Sequence, residues 1–102
     1  MSVELPTSAA ALLVPIQSLA PEPYEVVKPF QVVVRPADGE YIASFFDANL
    51  SASGETQAEA VLHLKDVIAA AFEILAEMKE AELGPGPLRQ KKTLEEFIRP
   101  KK

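Results

Sequence analysis

One side chain in this sequence, His63, suits general-base chemistry near neutral pH, and a Ser-His-Asp triad would have to be built around it. It falls inside a helical pattern at the margin of an apolar stripe, where a surface or partly buried imidazole is the expected role. Asp38, Asp47, Glu55 and Glu59 lie close in sequence, and carboxylates can gather Mg²⁺ for phosphoryl chemistry. Each also has a local duty: turn, strand end, first helical turn and helix cap. A metal-dependent nuclease is therefore one alternative reading, and no bound metal or cofactor is the main expectation. The absence of Cys excludes disulfides, thiolate metal sites and thiol catalysis, and it suits a reducing cytoplasm. No Walker-type loop, GxGxxG, HExxH or zinc spacing is present, and Gly84 and Gly86 alternate with prolines that cannot cradle a phosphate. The cations Arg89, Lys91, Lys92, Arg99, Lys101 and Lys102 have only Phe97 beside them for base stacking, a weak signature for nucleic acid. The expectation is a protein without catalysis.

These residues must be positioned by a few elements, of which the largest runs from Gly54 to Glu80. Thr56 with Glu59 three residues on forms a capping box, and helical periodicity follows with no Pro or Gly before Gly84. A helix to Glu80 would be roughly 36 Å long. It carries two apolar seams, one of Val61, Ile68, Phe72 and Leu75, the other of Ala60, Leu64, Val67, Ala71, Ile74 and Met78. Together they exceed the roughly 100° stripe that docks a helix on one sheet. Glu59, Asp66, Glu73 and Glu77 fall on the opposite, solvated side. The second seam is covered either by other parts of the chain, such as residues 12–19 or 88–98, or by another subunit. Leu64, Val67, Ala71, Ile74 and Met78 are the candidate oligomer or partner interface, with small Ala71 allowing close helix approach.

A chain of 102 residues supports one modest core, and 48% apolar with 25% charged residues is globular usage. No apolar run reaches the roughly 20 residues that span a bilayer. The opening segment has an apolar patch, but Glu4, the lack of early Lys or Arg and Pro15 argue against a signal peptide. Charge is uneven: residues 1–88 hold four basic and thirteen acidic residues, and residues 89–102 hold six basic and two acidic. An acidic body suits a basic partner and repels nucleic acid.

Three segments are expected. Residues 1–29 hold Pro6, Pro15, Pro21, Pro23 and Pro29 and read as an extended arm whose middle, ALLVPIQSL, lies along the domain or a neighbour as an edge strand. Residues 30–83 form the α+β domain. Phe30–Arg35 and Tyr41–Phe46 flank Asp38-Gly39, the dipeptide of a two-residue type I′ hairpin turn. That turn sets Val34 opposite Ala43 and puts Phe30, Val32, Val34, Tyr41, Ala43 and Phe45 on the face that receives the helix. Leu50 and Ala52 alternate with serines as a short third strand. In residues 84–102 the Gly-Pro run stops the long helix, Leu88–Ile98 forms a short helix, and the basic tail is solvated. The fold class is a two-layer α+β protein, with an antiparallel three- to four-stranded sheet packed on one long helix.

The order of these features resembles the HicB-like antitoxin family over about Phe30 to Glu80. Asp38-Gly39 matches the turn, Asp47 the acid after the second strand, Gly54-Glu55-Thr56 the Gly-acid-Thr, and Glu59-Ala60 the acidic-Ala pair that opens the helix. Phe46 stands where the family has Pro, and Ala48-Asn49 replaces its Pro-Gly. The ribbon-helix-helix or helix-turn-helix domain that many members carry has no counterpart after Leu83. The resemblance implies a degenerate RNase H-like, partner-binding domain that is homo-oligomeric and sequesters a small basic toxin that cleaves RNA. An orphan oligomeric protein with no toxin partner is the other alternative reading. Neither nucleic acid nor membrane is expected as a partner.

Overall fold

The computed structural model describes residues 11–101. In chain order come β1 (Leu12–Ile16), β2 (Tyr24–Val26), β3 (Phe30–Ala37), β4 (Glu40–Phe45), a 3₁₀ turn at Phe46–Ala48, β5 (Leu50–Gly54), helix α1 (Gln57–Ala76), a second 3₁₀ turn at Glu80–Glu82, helix α2 (Pro85–Phe97) and β6 (Ile98–Pro100). The protein is α+β. A four-stranded antiparallel sheet in the order β1-β3-β4-β5 packs one face on α1, and a separate two-stranded ribbon joins β2 to β6.

The hairpin forms as its sequence dictates. Asp38 at φ 50° and Gly39 at φ 80° make the two-residue turn between Ala37 and Glu40, and Val34 lies opposite Ala43. The strand alternation then drives Phe30, Val32, Val34, Ala43 and Phe45 into the core, while Tyr41, at the hairpin end, is half-buried. Phe30 stacks on Phe45 at 4.3 Å, and Phe97 meets both rings edge-on.

The apolar run in the proline-rich arm becomes edge strand β1, with Pro15 exposed opposite Gln31. The part of the arm before Ala11 lies outside the described residues. Ile16, Leu19 and Tyr24 from this arm and Leu94, Phe97 and Ile98 from the C-terminal segment join the central strands and α1 in one core. The borders near residues 29 and 84 therefore divide the sequence without dividing the core.

Three details differ from expectation. Helix α1 ends at Ala76, so its 20 residues span about 30 Å. Glu77–Glu80 contains no helix breaker, and the chain turns there as α2 folds back over Phe72 and Leu75. The Gly-Pro run opens a helix as well as following one: Gly84 is the N-cap of α2 and Pro85 its first residue, a position where proline's missing donor costs nothing. Ile98, expected at the end of that helix, begins β6, is buried, and pairs with Val26. The segment around Arg99 is thus a paired strand and not a solvated tail.

Candidate interaction surface

The entry to α1 shows why Gly54, Thr56, Glu59 and Ala60 occur at this spacing. The Thr56 hydroxyl accepts the Glu59 N–H at 3.0 Å, capping the helix. Glu59 Oε1 accepts the N–H of Glu55 at 2.6 Å, one residue earlier than a simple capping box places it. Gly54 closes β5 against the first turn, and a Cβ there would lie 2.5 Å from the backbone N of buried Ala60. These motif residues build a junction between strand and helix. Asp38 and Gly39 build the hairpin turn. Asp47 sits in the 3₁₀ turn, which Asn49 closes in the left-handed conformation at φ 56°.

The four carboxylates do not assemble. Antiparallel pairing sets Gly54 opposite Tyr41 and Leu50 opposite Phe45, so Asp38, Glu55 and Glu59 lie toward one end of β4 and Asp47 lies at the other. Among the described residues no group of three or more His, Asp or Glu side chains is placed to hold a metal ion. His63 is exposed, with Nδ1 2.7 Å from the Ser53 carbonyl oxygen. A carbonyl only accepts, so Nδ1 carries the proton, and the contact ties α1 to the sheet edge.

The proposed interface seam divides along α1. Leu64, 1% exposed, and Ala60 belong to this chain's own core, which corrects the expectation that Leu64 faces a second subunit. Val67 and Ala71 are half-buried, whereas Ile74 is 60% and Met78 38% exposed. The other seam is covered internally: α2 packs over Phe72 and Leu75, and Tyr24 meets Phe72 edge-on at 5.3 Å. Asp66, Glu73 and Glu77 are exposed on the outer side, as their spacing implies. The sheet's other face carries exposed Leu13, half-buried Val33 and Ile42, and buried Ser44.

A groove of about 510 Å³ lies between the 3₁₀ turn after β4 and the start of α2, lined by Phe46, Asp47, Asn49, Arg89 and Gln90 among others. The Gln90 amide donates to the Ala48 carbonyl at 2.6 Å across its floor. The C-terminal cations are partly neutralised within the chain: Lys91 pairs with Glu80 at 3.7 Å and Arg99 with Glu25 at 3.0 Å. Lys28 pairs with Glu96 at 2.8 Å and lies over the Phe97 ring.

Sequence reasoning passed over Tyr24, which packs on Phe72. Its signal was an aromatic residue directly after Pro23 and flanked by Glu22 and Glu25 in a segment read as an arm. No helix among the described residues is long and apolar enough to cross a membrane. Fold and surface define a small α+β protein with an acidic helix face and an adjacent apolar strip. In comparisons with known proteins, no family model, no curated protein and no solved structure matches the chain.

Proposed function

We propose that this protein is a non-catalytic binding module of the HicB-like antitoxin kind that sequesters a small basic protein, such as an RNA-cleaving toxin, in the cytoplasm. The observation that carries the reading is the acidic outer face of α1, with Asp66, Glu73 and Glu77 exposed on one side of the helix. Such a face repels nucleic acid and steers a basic protein toward it. The motif residues support the same reading. Gly54, Thr56, Glu59 and Ala60 form the junction that joins β5 to this helix, at positions where the sequence resembles the HicB-like family. The dispersed carboxylates give no comparable support to the nuclease alternative. The module is proposed to form homo-oligomers through Val67, Ala71, Ile74 and Met78.

Co-expression with the product of the adjacent reading frame tests the proposal. A small basic protein is expected to co-purify, with its toxicity suppressed. If no such protein is encoded nearby and none co-purifies from the native host, the antitoxin reading fails.

A further inference from the structure

The apolar strip of α1 forms an outer wall of the molecule. The sheet ends at β5, the strand that α1 packs against most extensively. His63 reaches from that side of the helix to the Ser53 carbonyl on this edge strand, at 2.7 Å. On the other side of α1, α2 packs over Phe72, Leu75 and Ala76. Val67 follows His63 by one turn, and the strip runs on through Ala70, Ala71 and Ile74 to Met78. The Met78 N–H still bonds the Leu75 carbonyl at 3.2 Å, so the strip continues past the end of the regular helix. Val67 and Ala71 are half-buried, whereas Ala70, Ile74 and Met78 are exposed. The sheet covers one flank of α1 and α2 another, and this strip is left open.

Val67, Ala70, Ala71 and Ile74, at spacings of three, one and three, are the four corners of a hole that can receive a side chain from a facing helix. The two alanines keep its floor low, and Ile74 is itself the large exposed knob at its rim. A knob and a hole on one strip are self-complementary about a two-fold axis. We propose that a second copy of this chain packs its α1 antiparallel on the strip, with the axis between Ala71 and Ile74. Each Ile74 then enters the hole of the other copy, and Val67 lies level with Met78 of the other copy. A parallel pair would instead seat Ile74 among Ala70, Glu73, Ile74 and Glu77 of the second copy, an apolar knob against two carboxylates. Antiparallel packing keeps both carboxylates out of the hole. This pairing rests on the oligomer reading above and adds to it the direction of the helices, the axis and the residues in contact.

The chain has no Cys, so single introduced cysteines report contacts directly. The full chain is made as Val67→Cys and as Met78→Cys, one of them carrying a size tag, and the two are oxidised separately and mixed. The mixture is expected to give the disulfide between positions 67 and 78 as its main covalent product. Each variant alone is expected to give none, because like positions lie roughly 16 Å apart along an antiparallel pair. A disulfide spans only about 4–7 Å between Cα atoms. Homodisulfides from both variants would make the pair parallel and overturn the proposal. Ile74→Ala, at a position exposed in the single chain, is expected to weaken association on the order of a hundredfold, since each dimer loses two knobs. Unchanged association of that variant would overturn the proposal as well. Light scattering on the wild type keeps the two levels apart. An oligomer that yields no mixed disulfide overturns the antiparallel pairing alone. A mass of one subunit removes the oligomer and the pairing together, and gives the strip to some other partner.

Discussion

At Gly54 the requirement is for space and not for an unusual dihedral. Any side chain there would press on the Glu59 and Ala60 backbone, at 2.8 and 2.5 Å, and a helix backbone cannot swing aside as a flexible side chain can. Gly54→Ala is therefore expected to cost about 1–3 kcal/mol, the usual range for overpacking. For a chain of this size each kcal/mol lowers the melting temperature by about 4–8 °C. An unchanged melting curve would show that α1 is not held against β5 in solution. Tyr24 provides a second check. Its pKa is raised above 10.0 by burial, then by Glu73, Glu22 and Glu77. Up to the ordinary value the phenol is protonated in both folded and unfolded chains. Above it the unfolded chain releases the proton first, so the unfolded state binds fewer protons and stability falls as pH rises. The loss continues until the folded pKa is passed. Tyr24→Phe is expected to flatten the decline above about pH 10 in denaturant titrations. Parallel declines for wild type and variant would place the phenol in water.

Among the elements, those specified by local chemistry were legible in the sequence and those specified by distant contacts were not. The β3–β4 register follows from Asp38-Gly39, the start of α1 from Thr56 and Glu59, and the edge position of β1 from Pro15 within an apolar run. The end of α1 at Ala76 was hidden because Glu77–Glu80 suits a helix, and packing of α2 overrides that preference. The β2–β6 ribbon was hidden because its strands lie more than 70 residues apart and hold only three residues each. The same limit concealed the contact of Tyr24 with Phe72, which needs β2 beside α1. Long-range burial also fixes what can fold alone. A fragment of residues 30–83 lacks Ile16, Leu19, Tyr24, Leu94, Phe97 and Ile98, all buried in the intact chain. Losing even one buried leucine, as in Leu94→Ala, costs about 2–5 kcal/mol, against a whole-domain stability of about 5–15 kcal/mol. The fragment is expected to give the circular dichroism and narrow amide shift range of an unfolded chain. A cooperative melt of that fragment would show that the flanking segments are accessories.

For the molecule as a whole, the question is how α1 uses two adjacent exposed strips. Asp66, Glu73 and Glu77 follow its outer side, and Val67, Ala71, Ile74 and Met78, at spacings of four, three and four, follow the neighbouring shoulder. A helix from a second copy could lie along the apolar strip at about 8–10 Å where Ala71 permits close approach. The acidic strip would then remain open, so self-association and capture of a basic partner need not compete. Burying a large aliphatic side chain gains about 1.5–3 kcal/mol, and Ile74, 60% exposed, has most of that gain still to make. Val67 is a poor probe because it is half-buried within its own chain, and a charge there would disturb folding. Ile74→Glu with Met78→Glu changes exposed positions only. Light scattering at high protein concentration is expected to give the mass of two or more subunits for wild type and of one for the double variant, with the monomer still folding cooperatively. A single-subunit mass for wild type would sink the proposed oligomer. An oligomer that survives both substitutions would move the interface to the other sheet face around Leu13, Val33 and Ile42.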